Sequence, residues 1–361
     1  MRPQVLGAGV DLSLRRRLVR RQLLVDSGRI TFAALGLAAG LGRVQVVGAA
    51  NRVVSAANQV TIGVTETPCI APAYVAVSQG FLKDEGLEAT VLDLTTPGNL
   101  GRAIDAAAGL ASGRVDAVMS EFWSAVPPRL PTGLNLGDFV LTAALQRGCV
   151  GLVVPLDSPI QSLADLSGQK VAAAKFLFGT PMADAGLNPD TDIAWGPAPS
   201  IADQVVVLQS GDFAAVQTIN AQGILLERAG LARMIATNNM PPVDNDYCCG
   251  CMMRGSNIQA DRPKAAAITR AMMRAAAWSE NHHAEVAQQI LPLMVGQQIT
   301  QEDMEAALGV VAFVPLAENA RPVLVDEFNR YLTYGLPLAQ PMDATTVVSR
   351  IFLPVTAEFV A

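Results

Sequence analysis

The stretch QVTIGVTETPCIAPAYVAVSQGFLKDEGLEATVLDL, residues 59–94, decides the fold of this chain. Its first residues alternate β-branched with other side chains, which predicts a strand. The turn formers Thr65, Thr67 and Pro68 end that strand, and the apolar residues from Ala71 onwards predict a short buried helix. The last residues of the stretch predict a second strand. The order strand, helix, strand therefore predicts one βαβ unit with parallel strands and a right-handed crossover.

Open α/β sheets bind ligands at the carboxyl ends of their strands, so the loop after the first predicted strand is a candidate binding loop. Three other loops have the same position. The segment GRVDAVM, residues 113–119, predicts a strand that ends at residues 120–123, and another predicted strand ends at residues 175–180. The segment GDFAAV, residues 211–216, predicts a strand that ends at residues 218–222. Because GDFAAV resembles part of GRVDAVM, the chain contains an approximate internal repeat, which is typical of two similar lobes.

The candidate ligand-binding residues are the polar, glycine and aromatic residues of these loops, which together would line a small-molecule cleft. They are Thr65, Glu66, Thr67, Glu121, Phe122, Trp123, Phe178, Gly179, Thr180, Asn220 and Gln222. The three aromatic members are suited to stacking on a flat ligand. Phe122 and Phe178 are equally compatible with a core position. Polar residues beside Trp123 favour a place in the cleft for that residue.

Two carboxylates, Glu66 and Glu121, occur in the candidate loops. A site for a small anion would offer cations and backbone N–H groups instead. The pair therefore favours a cation, or a heterocycle that carries an amino group. The alternative is that either glutamate is a solvated residue at the rim of the cleft.

The composition excludes several classes of protein. A length of 361 residues predicts two domains. An apolar content of 51% with 16% charged residues indicates a globular protein with a large core. The net charge of −6 argues against a nucleic-acid partner, since no basic stripe occurs outside the N-terminal region. The five cysteines are an odd set with three crowded together, so we expect no disulfide scaffold.

Residues 1–57 predict an export signal. Arginines at 15–17 and 20–21 precede a mostly apolar run over residues 30–41 and small residues at 48–50, which is the order of a secretory signal. The sequence RRQLL resembles a twin-arginine motif, which exports proteins already folded. We therefore expect a periplasmic or extracytoplasmic protein. A disordered basic tail, or a misassigned start of the chain, is the alternative.

The segment YCCGCMMR contains Cys248, Cys249 and Cys251, whose thiols are soft ligands for copper, zinc or iron–sulfur chemistry. Successive side chains of a strand point to opposite faces, which predicts that Cys249 and Cys251 share a face and that Cys248 points away. No further cysteine or histidine motif completes a set of four ligands. The alternative is a tightly packed crossover strand with small buried side chains, and we predict no other cofactor.

No catalytic motif is present, because the sequence lacks G-x-S-x-G, a Walker loop and H-E-x-x-H. The two histidines, His282 and His283, are adjacent, which does not favour histidine-based acid–base catalysis. We therefore predict binding without chemistry and no catalytic residues.

Several segments, in order, resemble the periplasmic substrate-binding proteins of nitrate/taurine-type ABC importers. They are YVAVSQGFLKDEGLEATV at 74–91, LASGRVDAVMSEF at 110–122, SLADLSGQKVA at 162–172 and a long predicted helix within 260–290. The resemblance implies an α/β protein with a two-lobed, type II periplasmic-binding-protein fold, in which each lobe is a mostly parallel sheet flanked by helices. It implies two crossovers, a first lobe from residues 58–145 and 252–361, and a second lobe from residues 150–245.

The chain also resembles the related thiamine-pyrimidine synthases, which carry a cysteine stretch, CCCFC, that is associated with iron. Cys248, Cys249 and Cys251 match the first, second and fourth positions of that stretch, and the third and fifth positions differ. Those enzymes also consume a histidine of their own, and Ile70 stands at the matching position, before APAYVA. The synthase reaction therefore lacks its substrate here. The resemblance implies a cysteine stretch that is structural, or reused for a ligand or a metal.

The resemblance implies the extracytoplasmic solute-binding component of an ABC importer. The protein would capture a small organic solute, either amino-pyrimidine-like or a sulfonate- or nitrate-type anion, by hinge closure. Its partners would be that solute and the permease and ATPase subunits, and we expect a monomer. A synthase-like enzyme, or a soft-metal-binding protein that uses the stretch from Cys248 to Cys251, is the alternative.

Overall fold

The computed structural model describes residues 58–65, 67–94, 103–126, 135–200, 203–293 and 299–358. The predicted export signal and Glu66 lie outside these residues. The strands of this part are β1 (Gln59–Val64), β2 (Glu88–Asp93), β3 (Ala117–Glu121), β4 (Phe139–Arg147), β5 (Val150–Pro155), β6 (Gln169–Ala172), β7 (Ile193–Gly196), β8 (Ala215–Ile219), β9 (Ala232–Thr237) and β10 (Tyr247–Arg254).

The α-helices surround these strands. They are α1 (Ala71–Ser78), α2 (Phe81–Asp84), α3 (Ala103–Ala111), α4 (Lys175–Asp184), α5 (Gln204–Gln209), α6 (Asn220–Arg228), α7 (Gly255–Ala260), α8 (Arg262–Glu280), α9 (His283–Ile290), α10 (Gln301–Leu308), α11 (Ala320–Thr333) and α12 (Ala344–Ile351). Within the described ranges, no helix combines the length and the apolar character that a membrane crossing requires.

The strands form two sheets with matching topology. The first has the order β2-β1-β3-β10-β4, and the second has the order β7-β6-β8-β5-β9. In each sheet the first three strands are parallel and the fourth is antiparallel to both of its neighbours. The predicted βαβ unit is confirmed, because β1 and β2 pair in parallel on either side of α1 and α2. The predicted fold class of two α/β lobes is also confirmed.

The chain passes between the sheets twice. Residues 148–149 join β4 of the first sheet to β5 of the second, and residues 238–246 join β9 back to β10. In both cases the strand that follows the crossover becomes the antiparallel strand of its new sheet. The two crossovers are therefore built alike.

Strand β4 ends the hydrogen-bonded order of the first sheet, yet its residues are almost all buried. Later parts of the chain cover it. The backbone N–H of Ala144 donates to the carbonyl of Leu316 at 2.9 Å, and that of Arg147 donates to the carbonyl of Ala312 at 2.9 Å. The covered edge cannot pair with a strand of another molecule.

Two local predictions are wrong. Residues 175–180, predicted as the end of a strand, belong to the helix α4, and the strand β6 already ends at Ala172. A glutamine of the neighbouring strand ends β6, because the Gln217 side chain accepts the backbone N–H of Ala174 at 2.9 Å. The single helix predicted from Lys264 to about Ile290 is also two helices, with a break at residues 281–282.

Aromatic side chains of the segments that flank the two sheets pack against one another. Trp123, which follows β3, makes edge-on contacts with Phe176 of α4 and Tyr331 of α11, each at 6.1 Å between ring centroids. Phe176 and Tyr331 also contact each other edge-on at 5.4 Å. On the same side, a Cβ atom at Gly179 of α4 would overlap the ring of Tyr334. Glycine at that position lets α4 and α11 approach closely.

A buried polar network lies where the second crossover enters β10. Glu327 is fully buried and accepts the backbone N–H of Tyr247 at 3.1 Å and the hydroxyl of Tyr331. Arg330 forms an ion pair with Asp246, the last residue before β10. Burial raises the pKa of Asp246 to about 6 despite the opposing charge of Arg330. Burial likewise raises the pKa of Glu327 well above its usual range.

The raised pKa of Asp246 predicts an unusual pH dependence of stability. Between about pH 4 and pH 6 the folded chain holds the Asp246 proton more often than the unfolded chain does. The contribution of this group to the free energy of unfolding therefore falls as pH rises through that window. We expect Asp246→Asn to gain stability relative to wild type over the window, by no more than about 3 kcal/mol.

Urea unfolding of both proteins at a series of pH values from 4.5 to 6.5 measures this difference. Asp326→Asn is the matched control, because Asp326 pairs with the same Arg330 but is 72% exposed. If the wild type instead gains stability over Asp246→Asn as pH rises, the ion pair with Arg330 outweighs burial and the expectation is wrong.

Candidate functional site

A narrow cavity lies where the carboxyl ends of strands from both sheets meet. Its volume of about 10 Å³ leaves room for about one water molecule. Residues of β1, β3 and β10 and of the segments next to them form most of the wall, and the end of β8 contributes one residue from the second sheet. The lining residues are Thr65, Thr67, Cys69, Ile70, Ala106, Met119, Ser120, Glu121, Ile219 and Cys249.

A tight turn after β1 places two threonines at this cavity. The backbone N–H of Thr67 donates to the carbonyl of Thr65 at 2.8 Å, and Pro68 then starts a short 3₁₀ helix. The thiol of Cys69, in that helix, donates to the Thr67 hydroxyl at 3.6 Å. Both threonines are buried.

The end of β3 supplies the carboxylate of the site. Glu121 is half-buried, and its carboxylate accepts the hydroxyl of Ser120 at 3.2 Å. Ser124, one turn later, donates its hydroxyl to the carbonyl of Glu121 at 2.5 Å. Glu121 also stands opposite Cys249 of β10 in the register of the sheet. The carboxylate and the thiol therefore share one wall of the cavity.

The structure brings only part of the predicted site together. Thr65, Thr67 and Glu121 line the cavity, and Glu66 lies outside the described residues. Phe122 is fully buried and packs over Gly250, where a Cβ atom would approach its ring to 2.8 Å. Trp123, predicted at an exposed edge, is only 3% exposed, because it packs against aromatic rings of α4 and α11.

The predicted residues of the second sheet lie elsewhere. Phe178, Gly179 and Thr180 are on α4, and none of them lines the narrow cavity. Phe178 instead borders a separate apolar cavity of about 250 Å³ between α4, residues 162–164 and the end of β9. The misassigned strand end explains this displacement, since a helix turns these side chains away from the edge of the sheet.

Asn220 connects the two crossovers. Its side chain donates to the carbonyl of Gly148 at 2.7 Å, and its backbone N–H donates to the carbonyl of Cys149 at 2.7 Å. Its neighbour Asn238 accepts the backbone N–H of Val150 at 2.9 Å and lies 3.5 Å from the Asn220 amide nitrogen. This asparagine pair thus holds residues 148–150 to the start of the second crossover.

Gln222 was predicted in the site and Asn238 was not. Gln222, also predicted in the site, is half-buried on α6 and does not line the cavity. Sequence reasoning missed Asn238, because a single asparagine before a loop carries no motif.

Three buried thiols lie together beside the cavity. The sulfur atoms of Cys149, Cys248 and Cys249 are all within 4.8 Å of one another. The Cys248 and Cys249 sulfurs are 3.2 Å apart, and those of Cys149 and Cys249 are 3.8 Å apart. We call these three residues the thiol group. Cys69 extends it, because its thiol interacts with those of Cys149 and Cys249.

The prediction that Cys248 points away from Cys249 is wrong. Tyr247 pairs with Arg147 and Cys249 with Gln146, so β10 has one extra residue, Cys248, opposite β4. Such a bulge interrupts the alternation of side chains and brings neighbouring residues to one side. Cys249 pairs with Glu121 of β3 and Cys251 pairs with Met119, two residues away, so this register leaves Cys249 and Cys251 on one face of the sheet, as predicted.

The thiol group lowers the pKa of Cys149. Hydrogen bonds from the thiols of Cys248, Cys249 and Cys69 keep the pKa of Cys149 well below its usual range. Donation to Cys149 raises the pKa of Cys69, and burial raises the pKa values of Cys248 and Cys249. These hydrogen bonds favour the thiolate form of Cys149, and a thiolate is a soft ligand.

Cys251 lies apart from this group. Its thiol is fully buried near the hydroxyls of Thr142 and Thr269, and burial raises its pKa to about 11. Sequence reasoning grouped Cys251 with its neighbours and missed Cys149 and Cys69. The signal that could have found them is their position, since Cys149 is in the first crossover and Cys69 follows β1.

Comparison with solved structures shows the same fold. The periplasmic nitrate-binding protein NrtA from Synechocystis PCC 6803 is 16% identical, with a TM-score of 0.63 over 82% of this chain and 86% of that one. The alkanesulfonate-binding protein SsuA from Xanthomonas axonopodis pv. citri, bound to MOPS, is 15% identical, with a TM-score of 0.61 over 81% of this chain and 98% of that one.

A ligand-binding component of an ABC-type import system from Staphylococcus aureus, with zinc bound, is 11% identical and has a TM-score of 0.60 over 82% of this chain and 97% of that one. No curated protein matches the sequence. The sequence model of the NMT1/THI5-like family matches residues 67–286, which are more than half of the chain and include both crossovers and the thiol group. The chain therefore belongs to the NMT1/THI5-like family.

Proposed function

We propose that this protein is the extracytoplasmic solute-binding component of an ABC importer. The observation that carries the proposal is the narrow cavity, because strand ends of two separate sheets line it beside two neighbouring crossovers. Such a site can change its width by rotation of one sheet relative to the other about the crossovers. The nitrate- and sulfonate-binding proteins of the same fold support this reading.

Hinge motion follows from the size of the cavity. A space for about one water molecule does not admit an organic solute, so the two sheets must separate before the solute binds. Separation breaks the contacts of Trp123 with Phe176 and the ion pairs of Arg228 with Glu302 and Asp303. The exposed ion pairs cost little to break, whereas the aromatic contact is buried. A bound solute would stabilise a closed form by contacts to both sheets.

The wall of the cavity favours a solute that carries an amine or amidine. Its described residues include the Glu121 carboxylate and the hydroxyls of Thr65, Thr67 and Ser120, and none of them is a lysine or arginine. Carboxylate and hydroxyl oxygens accept hydrogen bonds from a protonated or amino-substituted ring. We propose a flat amino-heterocycle of the amino-pyrimidine kind. A sulfonate- or nitrate-type anion is the second candidate, since related structures bind such anions.

The proposal includes no catalysis. Ile70 lines the cavity. In the sequence it stands at the position where the thiamine-pyrimidine synthases, which this chain resembles, carry the histidine that they consume. An aliphatic side chain cannot replace an imidazole as a reactant. We propose that the chain binds its solute unchanged, as a monomer exported by a twin-arginine signal, and delivers it to permease and ATPase subunits.

A solute screen tests the function. The melting temperature of the purified full-length chain is measured with amino-pyrimidines, amidines, alkanesulfonates or nitrate. The binding of each compound that raises it is then measured by titration calorimetry. A solute at 100 times its Kd should add about 2.7 kcal/mol to the free energy of unfolding. We expect a hit among the amino-pyrimidines or amidines. Stabilisation by the anions alone would contradict the proposed amine- or amidine-bearing solute. Stabilisation by none of the compounds would argue against solute binding.

Glu121→Gln tests the role of the carboxylate. The change keeps the shape of the side chain and removes its charge, so an amine-bearing solute should bind roughly 10- to 100-fold more weakly. Glu88→Gln is the matched control, because Glu88 is an exposed glutamate at the start of β2. Calorimetric titration of both variants measures the effect. Equal affinity of Glu121→Gln and wild type would remove Glu121 from the site.

Trp123→Ala tests the contact between the sheets. Removing a buried tryptophan costs about 3–5 kcal/mol of packing, and here the lost packing joins the two sheets. We expect small-angle X-ray scattering of the solute-free variant to show a larger radius of gyration than that of wild type.

Trp195→Ala is the matched control for this change. Its indole donates to the carbonyl of Pro189 at 2.6 Å within the second sheet and its loops. This variant should lose stability without a change in radius of gyration. If Trp123→Ala has the same radius of gyration as wild type, the aromatic contact does not hold the sheets together.

A further inference from the structure

The thiol group joins two separate connections between the sheets. Cys149 is the last residue of the first crossover, while Cys248 and Cys249 are near the start of β10, just after the second. Their sulfur atoms nevertheless lie within 4.8 Å of one another. Three donor atoms from two distant parts of the chain therefore converge on one point.

The spacing suits a metal ion bound by thiolates. A metal–sulfur distance of about 2.3 Å with tetrahedral or trigonal angles places the sulfurs about 3.8–4.0 Å apart. The observed separations are 3.8 Å for Cys149 and Cys249 and 3.2 Å for Cys248 and Cys249. Small side-chain rotations are enough to reach the geometry of a bound ion.

The surroundings form a shell around this point. All three thiols are at most 1% exposed, and Cys69 lies against two of them. Gln146, which is fully buried, interacts through its side chain with Cys149. Its Oε1 atom finds no hydrogen-bond donor among the described residues. A buried amide that hydrogen-bonds to Cys149 orients that sulfur and completes the shell around the three thiols.

We propose that Cys149, Cys248 and Cys249 bind one soft d¹⁰ cation, for which Cu(I) is the probe, with Cys69 as an additional sulfur donor. Thiolates prefer soft cations, and the group contains only sulfur donors, which fits Cu(I) better than a hard cation or iron held by mixed ligands. Binding releases the protons of the coordinating thiols to solvent and transfers no electron. Cys69 and Cys249 line the narrow cavity, so the cation reaches the group from there.

This site goes beyond solute binding and does not depend on it. The cation would link residue 149 of the first crossover to residues 248–249 after the second, and so fix the distance between the two connections. The resemblance to the thiamine-pyrimidine synthases implies Cys251 as a ligand and does not include Cys149. The two ligand sets are therefore distinguishable by experiment.

The test uses the full-length chain, reduced and kept under anaerobic conditions. Cu(I) is titrated into the protein in competition with a chromogenic Cu(I) chelator, and ultraviolet absorption reports thiolate-to-copper charge transfer. We expect one Cu(I) per chain in wild type. Cys149→Ser should weaken binding at least 100-fold, whereas Cys251→Ser, a buried cysteine of the same strand outside the group, should stay within about threefold of wild type.

Several results would overturn the site: no binding to wild type, unchanged binding in Cys149→Ser, or a loss in Cys251→Ser as large as in Cys149→Ser. Circular dichroism of the metal-free variants checks that each has folded. If Cys149→Ser does not fold, Cys249→Ser and X-ray absorption of copper-loaded wild type decide instead. A copper shell of about three sulfurs near 2.3 Å supports the site, and a shell of nitrogen and oxygen contradicts it.

Discussion

The pair of asparagines at the crossovers is the interaction on which the rest of the arrangement depends. Asn220 and Asn238 are buried, and their hydrogen bonds hold residues 148–150 beside the loop that returns to β10. Each buried hydrogen bond contributes only about 1 kcal/mol to the free energy of unfolding. Removing one partner leaves the other buried without a hydrogen bond, which lowers the stability by more than that. The pair therefore fixes where the two sheets meet. The narrow cavity and the thiol group both lie at that meeting point.

Much of the fold could be predicted because it rests on local patterns. The alternation of residues 59–65 predicts β1, and the apolar residues from Ala71 predict the buried helix α1. The similarity of residues 211–216 to residues 113–119 correctly indicated two similar sheets. Thr65, Thr67 and Glu121 reached the cavity because parallel strands end at one edge of a sheet. These predictions follow from the order and direction of the strands and do not require the positions of individual side chains.

The remaining features depend on contacts between distant parts of the chain. The bulge at Cys248 arises from the pairing of β10 with β4, which no periodicity reports. The aromatic residues of the segment after β6 resemble a strand, but tertiary contacts with α11 fit the helix that forms there. Trp123 was expected to be exposed, and the ring of Tyr331, more than 200 residues later in the chain, covers it. Sequence neighbours give no information on such partners.

The position of β10 has a consequence for the order in which the molecule folds. This strand lies between β3 and β4, which have no pairing with each other in the first sheet. A ribosome must therefore synthesise the whole second sheet, residues 150–237, before the first sheet can close. The second sheet is continuous in sequence and can form while the first is still in two pieces. Until residue 254 emerges, the nascent protein exposes two unpaired strand edges, which a chaperone would have to protect.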